Sequence, residues 1–199
     1  MPLKSVAVLV TKNMYKDKTL EDYIKELSSR LPVPGGGSAA ALCAAMAAAL
    51  MSMAINFTLG NPKFLKHEDK LKEALSQSER LRKEFIRLVD LDAIAYKSKN
   101  IRDAVNVPFM VARLCFEGIK ICPLLIRKGN PKLISDVVIA AVLFEAGFAS
   151  SCFNIKINLK GLDDKAFSRA ITAEVNKKST ALKKIRIKME ESFGKVIRR

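Results

Sequence analysis

Leu31-Pro32-Val33-Pro34-Gly35-Gly36-Gly37-Ser38 runs directly into an alanine-dominated stretch, Ala39 to Ile55, which closes with Asn56-Phe57-Thr58-Leu59-Gly60-Asn61. Two prolines cannot sit inside a helix, and glycines allow backbone angles that other residues avoid, so a turn is predicted here, followed by a helix. Ser38 suits the N-cap or the first turn of that helix. The first amides of a helix are unpaired and carry partial positive charge, and glycines let a ligand approach them closely. The glycines therefore read either as an anion site or as a plain loop-to-helix turn. Their spacing matches neither the P-loop nor the dinucleotide fingerprint. The helix itself carries Ala39, Ala40, Ala41, Ala44, Ala45, Ala47, Ala48 and Ala49, a nearly smooth surface suited to close packing. A membrane span is not expected, because alanine is weakly apolar and Ser52 interrupts the run.

Working outward, Thr19 caps a short helix with apolar Leu20, Tyr23, Ile24, Leu27 and Leu31 at helical spacing. Residues 1–18 before it read as an arm, strand-like over Ser5 to Val10 but without a partner strand, and residues 19–199 as one helical domain. After Gly60-Asn61-Pro62, a long helix is predicted from about His67 to about Asn100. Steps of three and four from Leu71 pass through Ala74, Ser78, Leu81, Phe85, Leu88, Asp92 and Ala95. Asp92 thus falls on the buried stripe, whereas Asp90, about 200° round the helix, is expected to face away. A buried carboxylate without a cation has a raised pKa and suits proton transfer; the competing reading is a structural aspartate that caps or bonds a neighbouring helix.

Pro108 is expected in the first turn of the next helix and Pro123 to kink or end it. Asn130 marks a turn before a further apolar helix to about Leu159, one face of which reads Asp136, Ala140, Leu143, Gly147, Ser151, Asn154, Asn158. Ser38, Leu42, Ala45, Ala49, Ser52 and Asn56 form the matching face of the central helix. The two faces line a polar pocket, meet across a subunit boundary, or satisfy one another's amides. The last helix, after Gly161-Leu162-Asp163-Asp164, is amphipathic and reads as a cover.

With 199 residues, 49% hydrophobic and no tryptophan, the chain suits an all-α bundle. Its formal charge of +15 is diffuse: Lys160 to Arg199 holds 12 Lys/Arg against 5 Asp/Glu along a single amphipathic pattern. A solvated basic face or steering of a small anion accounts for it better than specific nucleic-acid binding. Cys43, Cys115, Cys122 and Cys152 lie apart in apolar contexts, as buried thiols of a cytoplasmic protein do, and no ligand set for a metal is evident. With His67 the single histidine, a histidine-based triad is nearly excluded.

Taken together, Pro32 to Ala41, Asn56-Phe57-Thr58, Asp92-Ala93-Ile94-Ala95-Tyr96, Val107-Pro108 and Ser135-Asp136-Val137 through Asn154-Ile155-Lys156-Ile157-Asn158-Leu159 closely resemble the cyclodeaminase/cyclohydrolase family, the C-terminal part of formiminotransferase-cyclodeaminase. The resemblance covers roughly residues 19–197. It implies an all-helical homodimer acting on a tetrahydrofolate derivative, with no tightly bound cofactor and with a formiminotransferase on a separate chain as one possible supplier. Such enzymes release ammonia from the 5-formimidoyl derivative while closing the 5,10-methenyl ring, or hydrolyse that ring; the first reaction is the expectation here. The resemblance puts catalysis on Asp92; substrate binding is expected at the glycine turn, Pro34, Gly35, Gly36, Gly37 and Ser38, and on the two polar helix faces at Asn56, Asp136, Asn154 and Asn158. Between Asp92 and Pro108 the family has a longer stretch, so Lys97 to Asn106 is expected as a shortened loop.

Overall fold

The structure of the protein, a computed structural model, describes residues 14–198; the strand-like stretch Ser5 to Val10 lies outside the described residues. Among the described residues seven α-helices follow one another: α1 (Leu20–Leu27), α2 (Gly36–Asn56), α3 (Glu68–Ser98), α4 (Ile101–Ile119), α5 (Cys122–Lys128), α6 (Ile134–Leu159) and α7 (Lys165–Ile197), with short 3-10 segments at Tyr15–Asp17, Pro62–His67 and Pro131–Leu133. No strand occurs among the described residues, and the fold is the expected all-α bundle.

The smooth helix α2 is its axis. Ala41, Ala44, Ala47, Ala48, Met51 and Ile55 are fully buried. The helix lies antiparallel to α3, with Ser38 beside Asp92 at one end and Ser52 beside Ser78 further along, and antiparallel to α6, with Gly36 beside Asn154 and Ala44 beside Gly147. The Ser52 and Ser78 hydroxyls bond each other at 2.8 Å, so neither buried group is left unpaired. At Gly147 a Cβ would lie 3.2 Å from Ala40 O, Ala44 Cβ and Cys115 Sγ, which is how closely small residues let α6 approach. Gly147 and Ser151 therefore face the interior of one chain, and the idea that they meet a second subunit is corrected. Met46 on α2 and Ile139, Val142, Phe153 and Ile157 on α6 are the large exposed apolar residues of this pair. Both helices are long and apolar enough to cross a membrane, but their small residues pack against the rest of the bundle.

Helix α7 covers the bundle as expected, burying Ile171, Val175, Leu182 and Met189. Asp164 caps it by accepting from Phe167 N at 2.9 Å and also pairs with Arg102 at 2.6 Å.

Three expectations are corrected. The stretch Lys97 to Asn106 is no loop: α3 runs to Ser98, Lys99 takes the left-handed conformation, and Asn100 caps α4 by accepting from Arg102 N at 3.0 Å and Asp103 N at 3.4 Å. The capping side chain starts α4 earlier than a proline-based reading places it, so Pro108 sits in the helix interior. Pro123 does end the helix, opening α5 in its first turn. Asp90, expected to face away, is 4% exposed, because the turn at Tyr15–Asp17 folds over that side of α3 and Tyr15 N donates to Asp90 Oδ1 at 2.6 Å. Helical periodicity counts one buried face; α3 has two.

Candidate active site

The tip of α2 is built from what its sequence lacks. Gly35 occupies the N-cap position and has no side chain to receive the first amides. Asp92, reaching across from α3, supplies the acceptor: Ser38 N donates to its Oδ2 at 2.9 Å. Asp92 is thus the cap of a helix it does not belong to, and the structural role weighed from the sequence is real. Its chemistry is not thereby used up. Burial pushes its pKa above the ordinary carboxylate value while the Ser38 N–H pulls it down, and no cation acts on it among the described residues.

The three glycines point to three different surroundings. A Cβ on Gly35 would meet nothing within 4 Å, one on Gly36 would lie 3.8 Å from Asn154 Oδ1, and one on Gly37 would fall 2.0 Å from Asp92 Oδ1. Gly37 therefore has to be glycine for the carboxylate to reach the helix tip. Gly36 forms part of a groove of about 400 Å³ with Ala39, Ala40, Cys43, Ser150, Phe153 and Asn154. Asp92 lies about 100° round the first turn of α2 from that groove, since Gly36 faces Asn154 and Gly37 faces Asp92. Ser38 is fully buried; its hydroxyl meets the Tyr23 hydroxyl at 3.1 Å, so it contributes its backbone to the site and turns its side chain inward.

The remaining residues singled out from the sequence separate. Pro34 is buried just before the tip, and Asn154 stands over Gly36. Asn56 is exposed at the other end of α2, and Asp136, half-buried in the first turn of α6, lies at that same end. At 1.5 Å rise per residue the two ends of α2 are about 30 Å apart, so one chain does not bring these two residues to Asp92.

Asn158 is committed elsewhere. A proline at 108 has no N–H for the carbonyl four residues earlier, Ala104 O. Asn158 Nδ2 donates to that oxygen at 2.6 Å, replacing the missing bond from a different helix. Thr58 plays a comparable part at the opposite end, donating to Ala54 O at 2.7 Å and accepting from Asn130 N at 3.1 Å. Sequence reasoning missed Tyr23 and Thr58. The signal for Tyr23 was a hydroxyl on an otherwise apolar helical face.

The formiminotransferase-cyclodeaminase family profile matches residues 19–99 and 97–177. The chain belongs to that family. A methenyltetrahydrofolate cyclohydrolase of Methylorubrum extorquens is 35% identical, over 78% of this chain and 86% of the relative. The formimidoyltransferase-cyclodeaminase of Rattus norvegicus is 29% identical over 76% of this chain, which spans about a third of that protein (32%). The crystal structure of formiminotetrahydrofolate cyclodeaminase from Thermotoga maritima has the same fold, with a TM-score of 0.87 over 92% of this chain and 98% of that one at 24% identity. The family is one of folate one-carbon enzymes, cyclodeaminases and cyclohydrolases.

Proposed function

We propose that the protein is a methenyltetrahydrofolate cyclohydrolase, with Asp92 as its proton carrier. This reverses the order expected from the sequence. The observation that carries it is the 35% identity running through most of a cyclohydrolase of comparable length, whereas the Thermotoga maritima cyclodeaminase of similar length is 24% identical and the formimidoyltransferase-cyclodeaminases match over about a third of theirs. The geometry supports the chemistry. The methenyl carbon, held between two nitrogens in a cationic ring, is attacked by water. Asp92 takes a proton from that water as the carbon–oxygen bond forms and gives it to N5 as the carbon–N5 bond breaks; the remaining hydroxyl proton passes to solvent as the carbonyl forms, leaving the formyl group on N10 and one proton released. A carboxylate whose pKa is raised by burial is suited to both transfers. Placement at the α2 tip, where Gly37 meets Asp92, Gly36 meets Asn154 and Gly35 is open, would hold the reacting ring in one orientation and supply rate by proximity.

The same reading includes a homodimer. Met46, Ile139, Val142 and Phe153 lie along two adjacent helices about 30 Å long, a strip on the order of 600 Å² per protomer, near the size of a stable interface. An antiparallel pairing across it sets the Asn56 and Asp136 end of one chain by the Gly36 end of its partner. Sedimentation of a monomer at micromolar concentration removes this part of the proposal.

The deciding assay follows methenyl-ring absorbance above the uncatalysed rate, with ammonia measured in parallel on the 5-formimidoyl derivative. Ring loss without ammonia release is expected. Ammonia release with ring formation installs cyclodeaminase, the reading favoured by the mammalian relatives, in its place.

A further inference from the structure

We propose that Tyr23 is a positioning residue for Asp92: its hydroxyl fixes Ser38, and Ser38 in turn holds the carboxylate by its backbone amide. The inference deepens the reading of Asp92 as proton carrier and rests on it.

Tyr23 lies on α1 with 4% of its surface exposed, and its hydroxyl stands 3.1 Å from Ser38 Oγ, which is wholly buried. A phenylalanine fills the same apolar space, so what the phenol adds is this one bond. Ser38 is also the residue whose N–H meets Asp92 Oδ2 at 2.9 Å, so the phenol and the carboxylate grip one residue from two sides. The connection closes into a ring. Tyr15 packs edge-on against Tyr23 with centroids 5.7 Å apart, and Tyr15 N donates to Asp90 at 2.6 Å, two residues before Asp92 on α3. Three segments of chain are thereby locked around the tip of α2. The groups facing Asp92 are Tyr23 from α1 and the Ser38 amide from α2; Asp90, on its own helix, is turned to the Tyr15 segment and lies near Lys16 and Asp17. Burial raises the Tyr23 pKa, the bond to Ser38 pulls it back, and the Asp92 charge adds to the rise.

The Ser38 amide favours the ionised carboxylate, so freeing Ser38 weakens that bond and moves Asp92 ionisation to higher pH. The experiment is carbon-13 NMR titration of protein labelled at its aspartate carboxylates, with Asp92 assigned by its loss in Asp92→Asn. In Tyr23→Phe the Asp92 midpoint is expected to move up, and Ser38→Ala, which breaks the same bond from the other side, to move it likewise. The double variant should move it no further than either single one. In turnover, Tyr23→Phe should lower kcat about five- to tenfold, the scale of one hydrogen bond, with KM within about twofold and the acid limb of the pH profile shifted up in step. An Asp92 midpoint unchanged in both variants overturns the proposal, whatever the rates do. The titration needs no substrate, so an inactive wild-type protein defeats the folate reading while the midpoints still decide on Tyr23.

Discussion

Asp92→Asn separates the two roles that the structure assigns to one side chain. An asparagine keeps the volume and an oxygen that can accept from Ser38 N at the same 2.9 Å geometry, and it is as good a helix cap as aspartate. What it loses is the proton. Turnover should fall by about two to four orders of magnitude, equivalent to about 2.7–5.4 kcal/mol on the barrier. Stability should hold or rise, since ionising a half-buried carboxylate with no cation beside it is unfavourable. Asp92→Ala removes the acceptor as well, and because Gly35 has no side chain to take over, the protein should lose about 1–2 kcal/mol. The assay is initial rate of methenyl-ring loss beside urea denaturation for the wild type and both variants. Turnover by Asp92→Asn within about threefold of wild type would refute the proton-carrier argument and leave Asp92 as a cap alone. Asp90, two residues away, does not serve as an inert control because it is buried and bonded.

Four further outcomes are expected. Gly37→Ala should displace the Asp92 carboxylate and lower turnover by at least about a hundredfold, while Gly35→Ala, with open space before it, should act weakly; equal effects in a rate assay would defeat the fan of glycines. Asn158→Leu should cost about 1–3 kcal/mol by orphaning Ala104 O, and Pro108→Ala, which restores the helix's own N–H, should recover most of that in a double-mutant cycle; additive losses would contradict the repair role. Asp90→Ala should release the Tyr15–Asp17 turn, seen as faster hydrogen exchange at the Tyr15 amide with little change at Ser52 or Ser78. Burial raises the pKa of both Asp90 and Asp92 above the unfolded value, so between that value and the folded one the native state binds more protons, and their contribution to stability falls as pH rises through the window. The difference in unfolding free energy between wild type and Asp92→Asn should therefore change across that acidic window and level off above it; a difference that is flat with pH would show that Asp92 does not titrate as its burial requires.

The bundle was legible because its signals are local. Leu71, Leu81, Phe85 and Leu88 recur at helical spacing and are each buried, and Pro123 and Gly129-Asn130-Pro131 break the chain where composition puts the breaks. Asp92 was legible for the same reason, as a charge on an apolar stripe. Asp90 was not, because what buries it is the turn at Tyr15–Asp17, 75 residues away in the chain, and no period within α3 carries that information. Pro108 was misplaced because a proline is read as a helix start or stop, and its tolerance mid-helix depends on a donor 50 residues further on.

That donor shows where a polar motif misleads. Asn154 and Asn158 share one face of α6 and read alike as ligand contacts, yet one stands over Gly36 and the other repairs a helix. A proline inside an apolar periodic stretch leaves a carbonyl without its donor, and a buried amide on a facing helix is the natural group to supply one. The same reasoning explains the tip of α2. Glycine at the cap position obliges another segment to receive the first amides, and Asp92, which reaches the tip from α3, is half-buried in doing so. If that acceptor is a carboxylate, burial raises its pKa. The missing side chain at Gly35, the required hydrogen at Gly37 and the raised pKa of Asp92 are then one arrangement, in which the group that closes the helix is also the group fitted to move a proton.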